Sequence, residues 1–125
     1  MLATYTRLFT DEQGASCFED LSIELQPSFS APGLPTTIFS APFLPGESTL
    51  WIGGPANLLD ETPHRVPRRM ILVTTRGEYQ VTTSKGVARS FPVGSVLVAE
   101  DTTGAGHSTK PIGDEDVIVF AVGLP

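Results

Sequence analysis

The chain has 125 residues, enough for one domain with one core, and its 40% hydrophobic content with 12 glycines and 11 prolines points to short strands and many turns rather than long helices. A formal net charge of −6, with Arg65, Arg68 and Arg69 as the basic cluster, argues against a nucleic-acid partner, which needs a continuous basic face. A single cysteine, Cys17, makes no internal disulfide, residues 1–14 lack the basic and apolar regions of a secretory signal, and no apolar run approaches the ~20 residues of a membrane span; a soluble protein of the cytoplasm is expected.

Residues 1–19 carry no sustained period and are broken by Asp11-Glu12-Gln13-Gly14, which reads as an arm. Leu21, Ile23 and Leu25 then alternate with polar residues as a half-buried strand that Pro27 ends. Five prolines from Pro27 to Pro45, both included, leave room for one edge strand, TTIFS, in an ordered loop. The expected division is therefore 1–47 as arm, edge strands and proline-rich loops, and 48–125 as the core of a single domain.

Ser48 to Ile52 reads as a strand closed by Gly53-Gly54-Pro55, with Trp51 filling a core layer. Asp60, Glu61 and His64 follow beside a proline-fixed turn. Arg68 to Thr75 alternates as the next strand; with His64 inward, the parity puts Val66, Arg68, Met70, Leu72 and Thr74 inside. Ile71 and Val73 then face outward, toward sheet packing or a partner chain. Glu78 to Thr83, VARSF after the Lys85-Gly86 turn, SVLVA after the Phe91–Gly94 corner, and Val117 to Val122 complete a set of about eight strands. Such a set, without a helical segment, predicts an all-β antiparallel jelly-roll barrel. Trp51, Leu72, Val81, Val96, Val98 and Val119 are its expected buried residues.

The chemistry-bearing residues concentrate in Phe91 to Lys110, where a strand leads through Glu100 and Asp101 to Gly104-Ala105-Gly106-His107. His64 and His107 are the two histidines of the chain. Imidazoles facing one another across an apolar cavity suit general acid and base work, and Glu100 or Asp101 is available to orient one ring. An Asx-type turn is the alternative role for that acidic pair. Arg68 is placed either to hold an anionic or enol oxygen or to pair with Asp60 or Glu61 at the rim. Met70, Gln80 and Trp51 complete the expected substrate-binding wall. Cys17 has no sequence partner that would make it a catalytic thiol. No phosphate-cradling loop or serine elbow is present, because Gly104 and Gly106 follow a strand without opening a helix.

The run HxxPRR, a GExxV hairpin and then a strand ending in EDTTGxGHST resembles a small single-domain branch of the cupins, mostly without assigned activity, over roughly residues 60 to 122. The resemblance implies a double-stranded β-helix and a homodimer, and it places His64 and His107 at metal-ligand positions. Val66 and Met70 stand where that family has its other two ligands, so it implies no cofactor, or a weakly bound divalent zinc, iron, manganese or nickel. A catalytic metal ordinarily takes three protein ligands or more, which Glu78 or Asp101 would have to supply. Three functions follow as expectations: an isomerase, cyclase or lyase on a small enolisable substrate, a non-catalytic small-ligand or sensor module, and a metal-dependent dioxygenase. The first two require His64 and His107 to reach one cavity from different strands.

Overall fold

A computed structural model describes residues 1–29, 32–33, 36–58 and 61–125, with Phe29 by its backbone alone. Asp60, expected at the rim, lies outside the described residues. The described residues are all-β, with strands β1 (Leu2–Thr10), β2 (Ser16–Glu24), β3 (Gln26–Phe29), β4 (Ile38–Ser40), β5 (Ser48–Gly54), β6 (Met70–Arg76), β7 (Glu78–Thr83), β8 (Ala88–Phe91), β9 (Val96–Ala99), β10 (His107–Ile112) and β11 (Val117–Gly123). Six of them form one sheet in the order β2-β1-β9-β6-β11-β5, three form a second in the order β10-β7-β8, and β3 pairs with β4. Pairing is antiparallel except between β1 and β9. No helix among the described residues is long and apolar enough to cross a membrane.

Strand alternation builds the core between the two larger sheets. Along β7 the odd positions Tyr79, Val81 and Thr83 are buried, and along β11 so are Val117, Val119 and Ala121. Leu8, Tyr79, Val81, Phe91, Leu97, Val117 and Val119 make one cluster drawn from both sheets. Val66, Met70, Ala99 and Ala121 form a smaller one beside it, with Leu72 packed against it.

The expectations for residues 1–19, for the boundary at residue 47 and for Trp51 are corrected by these contacts. Residues 1–19 are not an arm: they form β1 and the start of β2, nine register pairs join the two strands, and Leu8 is 0% exposed in the main core. The boundary at residue 47 therefore divides a core that both segments build. The local signal was β-propensity, carried by Thr4, Tyr5, Thr6, Phe9 and Thr10, rather than periodicity. Ile71 and Val73 turn away from the main core as expected, and of the two expected coverings it is packing within the chain that is seen: Ile71 is buried with Val98 and Leu124, and Tyr5, Leu44, Val73, Val96 and Val122 pack on that group. Trp51 is 66% exposed, because β5 is the sheet edge and its outer face meets Phe120, ring to ring at 5.1 Å. Of the other residues expected inside, Val81, Val98 and Val119 are buried, while Leu72 and Val96 are partly so.

Candidate functional site

Two backbone hydrogen bonds join the site's halves before any side chain is considered. His64 N–H donates to the His107 carbonyl at 2.8 Å and His107 N–H donates to the His64 carbonyl at 2.9 Å, an isolated antiparallel bridge that docks the segment between β5 and β6 onto the start of β10. Residues facing each other in such a pair project to the same side. The rings accordingly lie 4.6 Å apart between centroids, with planes inclined by 57°. Both line a cavity of about 430 Å³ between the sheets, whose floor includes Val66, Met70, Leu72, Leu97, Ala99 and Val119. That size and apolarity suit a small organic molecule.

His107 is 8% exposed, and behind it stands Asp101, 0% exposed, whose Oδ2 accepts from His107 Nδ1–H at 2.5 Å. Asp101 does not line the cavity. The carboxylate thus grips the ring from the protein side and leaves Nε2 for the cavity. Its other oxygen, Oδ1, is buried without a partner among the described residues. His64 sits at the exposed mouth, where its Nδ1–H donates to the Thr62 carbonyl at 3.2 Å. Lys110 and Glu61 pair at 3.5 Å on the same rim.

The neighbouring carboxylate goes the other way. Glu100 accepts from Arg7 Nε at 2.6 Å and from Arg69 Nε at 2.6 Å, tying β1 and the turn before β6 to the end of β9. Burial alone would raise its carboxyl, but the hydrogen bonds and charges of the two arginines outweigh burial and hold it below the ordinary range. Glu100 is therefore a structural clamp and not a member of the site, which corrects its expected catalytic role. Because its folded value is depressed, the clamp's stability is present above the ordinary glutamate value, about pH 4.3, and is lost as pH falls through the lower folded value. Glu100→Gln is expected to cost roughly 1–3 kcal/mol at neutral pH, allowing for the partly exposed arginines. In urea titrations the gap between the two proteins should close as the pH is lowered toward 3; a gap of constant size would show that the charge pairing is not what the residue contributes.

Three further expected residues are placed elsewhere. Arg68 pairs with Glu47 and donates to the Leu124 carbonyl at 2.8 Å, outside the cavity lining, because the bend at Pro67 and Arg68 interrupts the alternation that joins Val66 to Met70. Gln80 lies between Tyr79 and Val81, both of which line the cavity, so alternation turns it to the opposite face. Trp51, on the outer side of β5, does not reach the cavity; its neighbour Ile52 does. Met70 is in the wall as expected.

The site also uses groups that carried no sequence signal. The Thr62 carbonyl fixes His64, and the buried Ser16 hydroxyl donates to the Gly106 carbonyl at 2.7 Å, bracing the turn before His107. Tyr79 brings a phenol into the wall that burial raises well above its usual range; the Thr74 hydroxyl tempers this without a hydrogen bond of normal geometry. Cys17, half-buried at the far side of β2, has its thiol raised by burial and by Asp11, the reverse of what a nucleophile needs.

The donor set does not fit a resident catalytic metal. Two imidazoles line the cavity, Asp101 is engaged behind one of them, Val66 and Met70 are apolar, and no three His, Cys, Asp or Glu side chains among the described residues are grouped to hold an ion. No family model matches this sequence, and no curated protein matches it.

Proposed function

We propose that the protein is a small cupin-type enzyme, with a jelly-roll barrel as its architecture, that moves protons on a small enolisable substrate in the manner of an isomerase, cyclase or lyase. The carrying observation is the fully buried Asp101 carboxylate set against His107 Nδ1 at the wall of an apolar cavity, with His64 4.6 Å away between ring centroids. Burying a carboxylate is costly, and an apolar residue of similar size would fill the space at less expense. A carboxylate there suits a ring that takes up and releases a proton, since it fixes the tautomer and offsets the charge of the imidazolium.

His107 Nε2 takes the proton from a carbon beside a carbonyl. His64, open to solvent at the mouth, acts as the imidazolium with a proton on Nε2 and delivers that proton to the carbonyl oxygen, the neutral ring then accepting from the enol hydroxyl, and the enol is returned to a ketone by the reverse transfers at another carbon. The chemistry needs no redox partner. The test is to incubate the protein with simple 1,3-dicarbonyl and phenolic probes in D₂O and follow hydrogen exchange at carbon by NMR. Acceleration above the rate in buffer supports the reading; saturable binding with no acceleration for any probe replaces it with a ligand-binding module.

We place the enzyme in the cytoplasm, where a lone half-buried thiol stays reduced, and as a homodimer. The support for the dimer is the edge strand β5, whose Leu50, Trp51 and Ile52 are all exposed apolar side chains beside unpaired backbone groups. Sedimentation at micromolar concentration is expected to give a dimer that Trp51→Lys converts to monomer; a wild-type monomer contradicts it.

A further inference from the structure

We infer that the ligand of this cavity meets the histidine pair with hydrogen-bond donors, and that it is a dihydroxylated aromatic or enolic compound with one hydroxyl on each ring. The inference rests on the site described above and adds its hydrogen-bonding polarity, which the acid–base reading leaves open.

The tautomers decide it. A neutral imidazole carries one N–H and one lone pair, and the partner of one nitrogen assigns the other. His107 Nδ1 faces a carboxylate oxygen at 2.5 Å and His64 Nδ1 faces the Thr62 carbonyl at 3.2 Å. Both partners accept, so both Nδ1 atoms carry the hydrogen and both Nε2 atoms carry the lone pair. Neither Nε2 has a partner among the described residues. Two acceptors on rings 4.6 Å apart cannot satisfy one another.

Ligand classes separate on that polarity. An ether or a carboxylate adds further lone pairs to a place that already has two, and Lys110, which would draw a carboxylate, is paired with Glu61. An ammonium brings hydrogens but would lose its hydration against an apolar floor. Two phenolic or enolic hydroxyls supply one hydrogen to each Nε2, while a flat carbon frame rests on Val66, Met70 and Leu72. An enol hydroxyl is also the group that the proposed proton transfers create.

The experiment is calorimetric titration of the full chain with resorcinol, 1,3-dimethoxybenzene and benzoate, alongside ring-hydrogen exchange of resorcinol in D₂O. Resorcinol is expected to bind at least about tenfold more tightly than either other probe, since a site built to accept hydroxyl hydrogens rejects an analogue without them. His64→Phe, at the exposed mouth where the fold tolerates change, should remove most of that preference. Equal or tighter binding of the dimethoxy compound or of benzoate overturns the inference, as does the absence of binding by all three at millimolar concentration. The two readings fail separately. A hydroxyl preference without faster exchange upholds the donor-bearing ligand and defeats acid–base catalysis; faster exchange without a hydroxyl preference does the opposite.

Discussion

Replacing His107 by alanine is expected to slow carbon-hydrogen exchange of an enolisable probe by roughly 10²-fold or more, in a protein that still folds. The ring is the group between the buried carboxylate and the cavity, whereas the other imidazole of the lining, His64, is held by a backbone carbonyl. His107→Gln should fare almost as badly, because the amide keeps the shape and a hydrogen bond to Asp101 but cannot pass a proton. Probe affinity should change far less than rate, since most of the contact is with the apolar floor. His107→Ala also leaves Asp101 buried with neither oxygen paired, so a loss of about 1–3 kcal/mol in stability is expected beside the kinetic one. His107→Gln, which keeps a partner for the carboxylate, separates the two effects. Asp101→Asn should also slow exchange, and combining it with His107→Gln should add little, as residues that act as one unit do. If both His107 variants exchange hydrogen at the wild-type rate, the acid–base reading fails.

How far the sequence carried the argument depends on whether each feature is written locally. β7 is legible because its tyrosine, valine and threonine alternate with polar residues inside six positions, and the observed strand has the expected limits. β1 was missed because its evidence is β-propensity without a clean alternation, and its fixing contact, the parallel pairing with β9, joins residues some 90 positions apart. The two histidines were marked by type and by motif. The division of labour between Glu100 and Asp101 was not, since adjacent residues at a strand end face opposite ways and the outcome depends on Arg7 and Arg69 on one side and His107 on the other. Arg68 shows the limit of parity: one bend at Pro67 removes from the cavity a residue that strict alternation would place inside it.

The largest structural effect is expected at Gly106, immediately before the site's central residue. Its φ is +72°, which an L side chain adopts at a cost of about 1–2 kcal/mol, and an added Cβ would stand 2.3 Å from the His64 carbonyl oxygen and 2.6 Å from its carbon. Those are backbone atoms held by the bridge, so no side-chain rotation relieves the contact, and the segment carrying His64 must withdraw. Both bridge hydrogen bonds are then lost, at roughly 0.5–1.5 kcal/mol each, and Val66 is pulled from its place beside Met70 and Ala121. Gly106→Ala is therefore expected to cost more than about 3 kcal/mol in denaturant titration and, in the protein that remains folded, to abolish most hydrogen exchange by parting the two rings. Gly86→Ala is the control: that glycine also has a positive φ, +84°, but nothing lies within 4 Å of the added carbon, so only the conformational penalty applies. Equal losses in the two variants would mean that the close approach to His64 is not what requires glycine at 106. A much greater loss at Gly106, accompanied by loss of exchange, identifies the turn before His107 as the device that brings the two halves of the site together.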